Sequence, residues 1–417
     1  MMGKPKIRFK GYNEDWEQRK LGEMGSTFTG LSGKNKEDFG HGEAKFITYM
    51  NVFSNPVANL EMTESVEIDT KQNSVKKGDV FFTTSSEIPE EVGMSCVMPE
   101  NKENIYLNSF CFGYRPTEKF DLDYLAYVLR TASFRKEMTF LAQGISRYNI
   151  SKNKVMEVSI PVPNLEEQVM IGGYFSNLDH LITLHQHKCD EMKKLKKCML
   201  QKMFPQNGKK VPEIRFEGFT NDWEQRKFGE LAEYKKGPFG SAITKSMFVP
   251  KSDDSVKVYE QQNAINKDWS LERYFLPKEY AYTRLKAFEV HSGDIIVSCA
   301  GTIGEIYEIP DNAEYGVINQ ALMRVRVNEK IVDKRMFIIA FSNMINEFTR
   351  THSNGSAIKN IPPFADLKPM KVLMPSMEEQ RVISEYFEKI DNLITLHQHK
   401  CDELQNLKKY MLQNMFV

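Results

Sequence analysis

The chain has 417 residues, of which 41% are hydrophobic and 27% are charged, and its 56 basic residues balance 56 acidic ones. This length allows two or three domains, and the zero net charge argues against a protein that coats nucleic acid through bulk charge, although it permits a local basic face. There is no apolar run of the ~20 residues that a membrane span needs and no signal peptide, and the six cysteines form no disulfide framework, so we expect a cytosolic protein without a membrane partner.

Residues 1–163 are predicted to form a first globular domain of mixed α/β structure. It opens with "RFKGYNEDWEQRKLGE" at 8–23. The run "KKGDVFFTTSS" at 76–86 predicts a strand that begins at a Gly-Asp turn, and residues 120–142 carry apolar residues at helical spacing. The prolines of "IPVPNLEEQ" mark the end of the domain.

Residues 164–207 are predicted to form a first helical region. Acidic residues in the first turn favour a helix start after the prolines, and Pro205 and Gly208 end the helix. Over 178–204 the spacing by three and four residues predicts a coiled-coil seam. We assign to this seam Leu181, Ile182, His185, Cys189, Met192, Leu195, Met199 and Met203.

The second half of the chain repeats the first, with a second globular domain predicted at 208–375 and a second helical region at 376–417. The eleven residues "LITLHQHKCDE" occur unchanged at 181–191 and 393–403. A period of about 210 residues indicates a duplicated domain, because solenoid repeats are much shorter. The ends of the two halves match closely, whereas their middles, roughly 25–150 and 232–360, differ.

Histidine and cysteine in the repeated helix raise the question of a metal site. His185 and Cys189 are four residues apart and share a helix face, and His397 and Cys401 could complete an N₂S₂ zinc site if the helices pack antiparallel. The alternative, which we favour, is that these residues fill seam positions and set the register of the helices. We therefore predict no metal.

Two segments look like parts of enzyme motifs, but neither is complete. "TGLSGKNK" at 29–36 lacks the first glycine and the final Ser or Thr of a phosphate-binding loop. "IPPF" at 361–364 has Ile361 where an amino-methyltransferase carries a polar residue. Because no set of catalytic carboxylates is visible either, we predict a non-catalytic protein without a cofactor of its own.

The ordered, duplicated set of motifs resembles the specificity subunit of type I restriction–modification enzymes. The resemblance covers essentially the full length and rests on "WEQRK" at 16–20 and 223–227, on the two Gly-Asp turns, on "IPVPNLEEQ" and "LMPSMEEQ", and on the two helices that end in "MLQKMF" and "MLQNMF". It implies an α/β fold with two pseudo-twofold-related mixed α/β target-recognition domains, joined by two long helices packed as an antiparallel coiled coil. About 26 helical residues would span roughly 39 Å, near the ~34–36 Å of one DNA turn.

The resemblance also implies partners and, through them, cofactors. Each recognition domain would read one half of a bipartite, asymmetric sequence in double-stranded DNA, and the helices would bind two methyltransferase subunits. Restriction (motor) subunits would join for cleavage, so that the complex would use S-adenosylmethionine, ATP and magnesium. Two alternatives remain open: a coiled-coil scaffold with two globules that bind ligands other than DNA, and a duplicated His/Cys metal-dependent enzyme.

Candidate contact residues follow from residue type and position. Base reading requires polar side chains on loops at a groove, whereas lysines position the protein on phosphates. In the first domain we predict DNA contacts by Thr48, Asn51, Ser85, Ser86, Arg147, Tyr148, Asn149, Lys152 and Lys154. In the second we predict them by Lys235, Lys236, Gln261, Gln262, Asn263, Ser298, Thr302, Ser356, Lys359 and Asn360. For the methyltransferase we predict contacts by Leu178, Leu181, Leu195, Met199, Leu393, Leu404, Leu407 and Met411.

Overall fold

The computed structural model describes residues 4–206, 208–351 and 362–416, and the chain divides into two compact units. The first unit comprises Met1–Asp190 and Thr395–Val417, and the second comprises Glu191–Ile394. Each unit therefore contains one globular domain and a part of both long helices. Among the described residues, no helix is both long and apolar enough to cross a membrane.

The first unit has mixed α/β structure. Its strands are β1 (Glu17–Lys20), β2 (Gly25–Thr29), β3 (Phe39–Ile47), β4 (Thr63–Val66), β5 (Val80–Thr83), β6 (Ser85–Ser86), β7 (Ser95–Val97), β8 (Ile105–Leu107), β9 (Cys111–Pro116), β10 (Tyr148–Asn149) and β11 (Ser159–Val162). Its helices are α1 (Tyr49–Ser54), α2 (Leu122–Val128), α3 (Ala132–Leu141), α4 (Lys152–Val155) and the start of α5 (Leu165–Lys202). The helix predicted over 120–142 is thus two helices, because Thr131 accepts the backbone N–H of Phe134 and starts a new one.

A four-stranded antiparallel sheet, in the order β2-β9-β5-β7, lies at the centre of the first unit. Successive side chains of a strand point to opposite faces, so Phe82 packs with the helices while Phe81 packs with α1 and the second sheet. That second sheet has the order β4-β3-β8, with β3 and β8 parallel. The predicted strand after the Gly-Asp turn is confirmed as β5, buried on both faces.

The second unit repeats the two main sheets, with one further strand in the second of them. Its strands are β12 (Glu224–Lys227), β13 (Ala232–Lys236), β14 (Ser255–Tyr259), β15 (Phe275–Pro277), β16 (Glu289–Val290), β17 (Ile295–Ser298), β18 (Ile306–Glu308), β19 (Gly316–Ile318), β20 (Leu322–Val327) and β21 (Lys371–Met374). Its helices are α6 (Phe228–Leu231), α7 (Gln261–Ile265), α8 (Lys278–Arg284), α9 (Lys334–Thr351), α10 (Phe364–Leu367) and the start of α11 (Met377–Asn414). The sheet β13-β20-β17-β18 corresponds to β2-β9-β5-β7, and β14 pairs with β19 in parallel as β3 does with β8.

The closely matching ends of the two halves are joined in each unit by a buried polar anchor. In the first unit β1 pairs with β11, and Glu167 at the start of α5 accepts hydrogen bonds from Arg8 (2.7 and 2.8 Å) and from the Trp16 indole (3.0 Å). In the second unit Arg215 and Trp223 bind Glu379 in the same way. A buried carboxylate needs such partners, which explains why these residue types recur together.

Both long helices begin earlier than 178 and 390, where the predicted seam starts. Asn164 accepts the backbone N–H of Glu167 at 2.9 Å and so caps α5, and the next turns are buried against the first domain. Each helix has 38 residues, which corresponds to about 57 Å rather than 39 Å.

The two helices pack antiparallel within each unit. In the first unit Asp179 of α5 contacts Lys408 of α11, and further along α5 His185 contacts His397. In the second unit Lys196 contacts Asp391. The least exposed positions follow steps of three and four without a break, as a coiled coil requires. They are Ile171, Phe175, Leu178, Ile182, His185, Cys189, Met192, Lys196 and Met199 in α5 and Met203 directly after it, together with the residues 212 positions later in and directly after α11.

Two of the predicted seam residues lie outside the seam. Leu181 and Leu195 are more than a third exposed. At the second of these places the seam residue is Lys196, whose aliphatic stem packs while its ammonium group reaches the Asp391 carboxylate at 2.5 Å. In the first unit Lys408 makes the matching pair with Asp179, also at 2.5 Å.

The end of each helix closes the core of one unit. Phe416, which follows α11, packs against Trp16, Tyr124 and Phe175 in the first unit, with ring centroids 5.6 to 6.4 Å apart. Phe204, which follows α5, packs against Trp223 and Phe387 in the second unit. The repeated "MF" at the helix ends is thus core rather than surface.

Candidate nucleic-acid interface

The candidate site of each domain lies at one edge of its central sheet. In the first unit β2 and β5 end at this edge, and β9, antiparallel to both, begins there. In the second unit β13 and β17 end, and β20 begins, at the equivalent edge. The loops that leave these strands therefore lie side by side.

The structure brings most of the predicted first-domain residues together. Tyr148 and Asn149 form β10 and pair with Ser86 and Ser85 of β6. Arg147 donates a hydrogen bond from Nε to Ser85 Oγ at 3.2 Å, and its guanidinium lies 5.9 Å from the centre of the Phe110 ring. Hydroxyl, amide and guanidinium groups of this kind can pair with base edges in a groove.

Two half-buried arginines, which we did not predict, hold the loops beside this site. Arg130 donates to the carbonyl groups of Val52, Phe53 and Asn55, and Arg135 donates to those of Glu90, Val92 and Gly93. Burial lowers the pKa of both guanidinium groups to about 10, so they remain charged at neutral pH. The signal was visible as two arginines within the apolar helical stretch 120–142.

The prediction that Asn51 contacts a base is not supported, because the residue is fully buried. Its amide donates to the carbonyl groups of Asn59 (2.7 Å) and Met62 (3.0 Å), and its oxygen accepts the Asn59 N–H. Thr48 accepts the Asn51 N–H and caps α1. Both residues therefore shape the loop after α1, and Ser85 is buried as well, with its hydroxyl accepting from Arg147.

In the second domain Gln261 and Thr302 lie together at the sheet edge. The Gln261 amide donates to the carbonyl groups of Ala300 (2.5 Å) and Thr302 (3.0 Å), and the Gln262 and Thr302 side chains are exposed. Ser356, Lys359 and Asn360 lie outside the described residues, so their predicted role stays a prediction.

Two predicted contacts of the second domain are buried instead. Asn263 donates to the carbonyl groups of Asp268 (2.9 Å) and Leu271 (3.0 Å), as Asn51 does in the first domain. The Ser298 hydroxyl accepts the Glu305 N–H at 2.9 Å and is fully buried. These side chains have no free face to present to DNA.

The lysines predicted to contact phosphates differ in their exposure and in their interaction partners. Lys152 and Lys236 are exposed, whereas Lys154 pairs with Glu157 at 3.2 Å. The Lys235 ammonium group lies 4.9 Å from the centre of the Phe288 ring. Exposed lysines on a loop edge can follow a phosphate backbone without specifying a base.

The Gly-Asp turns have a structural role in both domains. Gly78 and Gly293 have φ of 86° and 78°, a conformation that favours glycine. The aspartates that follow bind an arginine of the neighbouring strand through two hydrogen bonds each, Asp79 with Arg115 and Asp294 with Arg326. The turns thus fix the strand that leads to the site.

The predicted partner-binding residues of the helices divide into two groups. Leu178 is buried, and Leu404, Met411 and Met199 are partly buried in the seam or against the domain cores, so their predicted role in binding a partner stays a prediction. Leu181, Leu195, Leu393 and Leu407 are exposed, and so are Leu184 and Leu396, which we did not predict. The six exposed leucines, here called the outer leucines, form three pairs 212 residues apart, a spacing that the repeat itself could have revealed.

The histidine and cysteine residues of the repeated segment lie in the seam of the first unit. The Nδ1 atoms of His185 and His397 are 3.0 Å apart, so one ring donates and the other accepts. Burial and the His397 charge lower the pKa of His185. Cys189 lies 3.8 Å from Gln398 Oε1. Across 4–206, 208–351 and 362–416, no three His, Cys, Asp or Glu side chains converge in a group that could hold a metal ion.

Comparison with known proteins identifies the family. The model of the type I restriction modification DNA specificity domain matches residues 13–194 and again residues 220–406. The chain belongs to this family. Two copies of a DNA specificity domain agree with the duplicated topology, and membership of the family makes recognition of a DNA target its role.

Similar proteins span the whole length of this type I specificity chain. The putative type I restriction enzyme MjaX specificity subunit of Methanocaldococcus jannaschii is 24% identical over 412 residues, which cover 96% of this chain and 92% of the relative. The StySPI specificity subunit of Salmonella potsdam is 19% identical over 390 residues, which cover 89% and 81%.

Solved structures show the same fold. The crystal structure of a type I restriction–modification S subunit from M. genitalium has a TM-score of 0.62 at 14% identity and covers 100% of this chain and 99% of that one. A chain from a study of complex assembly and conformational transition of the type I R-M system has a TM-score of 0.57 at 17% identity, with 96% and 97% covered. The predicted class, a duplicated α/β fold with two long helices, is confirmed.

Proposed function

We propose that this chain directs a type I restriction–modification complex to a bipartite, asymmetric sequence in double-stranded DNA. Each recognition domain reads one half of the sequence through the loops at its sheet edge. The chain itself catalyses nothing. Methyltransferase subunits bring S-adenosylmethionine chemistry, and restriction (motor) subunits bring ATP- and magnesium-dependent cleavage.

One observation carries this proposal: certain buried polar residues recur at equivalent positions of the two domains, whereas the residues at the sheet edge differ. Register with the neighbouring strands makes Asn51 equivalent to Asn263 and Asp79 to Asp294, and these pairs are identical. At the sheet edge, by contrast, Ser86 corresponds to Gly301 and Phe110 to Ala321. Two domains that share these buried residues but expose different side chains at the sheet edge are suited to reading two different half-sites.

The decisive experiment exchanges the domains one at a time. Replacing residues 25–150 with the corresponding part of a relative should change only one half of the methylated sequence, and replacing 232–360 should change only the other half. Mapping of methylated adenines across the genome reads both outcomes at once. If either exchange altered both halves, or neither, the assignment of one reader to each half would be wrong.

We further propose that the outer leucines bind two methyltransferase subunits. Leu181, Leu184 and Leu195 each have an exposed counterpart 212 residues later, so the chain exposes the same leucines twice, and exposed apolar residues of this kind are typical of protein interfaces. The matching sequences around these leucines imply that the same partner binds twice.

Charge substitution tests this surface without breaking a helix. Leu195→Glu combined with Leu407→Glu should prevent binding of the methyltransferase, measured as the mass of the complex by light scattering after gel filtration. Leu271→Glu is a matched control, since Leu271 is similarly exposed but lies away from the helices. A full-mass complex with the double variant would exclude the outer leucines as the contact.

A further inference from the structure

The second recognition domain presents one aromatic side chain almost entirely to solvent. Phe239 is 89% exposed, although removing a phenylalanine side chain from water is strongly favourable. It is the third residue after β13, on the loop that leaves the sheet edge described above. Phe239 therefore lies on the same edge as the loop that carries Thr302.

The backbone that carries Phe239 is held in place on both sides. Gly237 donates its N–H to the Leu322 carbonyl at 2.8 Å, and a Cβ at this position would lie 1.8 Å from the Asn319 carbonyl oxygen, so only glycine fits. On the other side Ala242 donates to the Phe239 carbonyl at 2.8 Å, and the Tyr280 hydroxyl donates to the Ala242 carbonyl at 2.9 Å. The ring is thus presented by a fixed loop.

The surroundings of the ring favour nucleic acid over an apolar protein surface. Two consecutive lysines, Lys235 and Lys236, precede the loop, and Lys236 is exposed. The equivalent position of the first domain, after the similarly constrained Gly30, is Ser32. The exposed ring is therefore specific to the second recognition domain and is not part of the structure that the two domains share.

We infer that Phe239 is an apolar wedge that enters the DNA of the second half-site between two stacked base pairs. The inference rests on the proposed function and adds a specificity-determining residue to it. Proteins that kink DNA use phenylalanine in this way, and easily unstacked pyrimidine–purine steps are the least costly to open. Lys236 would hold the adjacent phosphate while the ring separates the bases.

The test uses the full chain assembled with its methyltransferase partner on a duplex that carries the mapped target. 2-Aminopurine, whose fluorescence rises when it loses stacking, is placed in turn at each position of the second half-site except the methylated adenine, which a methyltransferase unstacks by itself. We expect a rise at one step with the wild-type complex and none with Phe239→Ala, together with an affinity about tenfold lower. The dependence of affinity on salt should be unchanged, because no phosphate contact is lost.

Two further variants sharpen the result. Phe239→Leu should keep the fluorescence rise, since leucine also serves as a wedge. Phe140→Ala is the matched control, because Phe140 is a similarly exposed phenylalanine of the first unit, and it should keep the rise at the second half-site.

Three results would overturn the inference. Methylation of the mapped site without a fluorescence rise at any position would exclude a wedge but leave the proposed function intact. Failure of Phe239→Ala to assemble with the methyltransferase would make Phe239 a protein contact. A complex with no preference for any duplex would overturn the proposed function and the wedge with it.

Discussion

Substitution of Phe416 by alanine should weaken the first unit and leave the second unit unchanged. Phe416 is 7% exposed and lies between Trp16, Tyr124 and Phe175, so its removal takes three ring contacts from one core. Buried Phe→Ala substitutions cost about 3–5 kcal/mol. Because Phe416 follows the last turn of α11, where the backbone can relax around a smaller side chain, we expect the lower value, about 3 kcal/mol.

Hydrogen exchange of backbone amides measures this loss locally. About 3 kcal/mol corresponds to roughly a hundredfold faster exchange for amides that open with the first core, such as those of β5 and β9. Amides of β17 and β20 should exchange as in the wild type. Phe204→Ala is the matched variant and should give the opposite pattern, since Phe204 packs against Trp223 and Phe387 in the second unit.

Equal acceleration of both cores by Phe416→Ala would refute this reasoning. It would mean that the two units open together, and the local packing of each helix end would not decide the stability of its unit. Unchanged exchange in both cores would show that Phe416 contributes little to the core around Trp16.

Three other predictions follow from the site and the seam. Asn51→Ala removes the three hydrogen bonds that the fully buried Asn51 amide makes to Asn59 and Met62 and should lower the unfolding free energy by about 2 kcal/mol in urea titrations, whereas Asn149→Ala at the exposed edge should change it by less than about 0.5 kcal/mol. The lowered pKa of His185 means that the unfolded state binds the proton more readily, so stability should fall as pH drops below 6.5, and His185→Gln should reduce this fall in urea titrations at pH 7.5 and 5.5. Replacing His185, Cys189, His397 and Cys401 with residues that bind no metal should leave the methylated sequence unchanged, and stoichiometric zinc in the wild type that is lost in this variant would contradict the prediction.

The duplication and the helical period could be predicted from the sequence because both depend on spacing alone. The choice between neighbouring residues was harder. Hydrophobicity favoured Leu195 for the seam, but the steps from Ile182 and Cys189 lead to Lys196. The lysine is accepted there because Asp391, on the other helix, receives its ammonium group, and no local pattern contains that pairing.

The recognition residues were harder to predict because polarity does not indicate which way a side chain points. Asn51 and Asn263 have the residue type that reads bases, yet both side-chain amides donate their hydrogen bonds to backbone carbonyl groups of the segment that follows them. Their spacing of 212 residues, the same as that of the helices, was the available signal. When two otherwise different domains carry the same polar residue at equivalent positions, that residue is expected to support the shared fold.

The division between the buried residues that the two domains share and the exposed residues at the sheet edge has an energetic consequence. Shared residues such as Glu167 and Asp79 are buried and make several hydrogen bonds. Removing one of their partners leaves a buried charge and lowers the free energy of unfolding by about 3–5 kcal/mol. Edge residues such as Asn149 and Gln262 are exposed, and changing them costs less than about 0.5 kcal/mol. A domain can therefore exchange its edge side chains while its fold and its attachment to the helices persist, and the proposed reading of two different half-sites by one scaffold requires this.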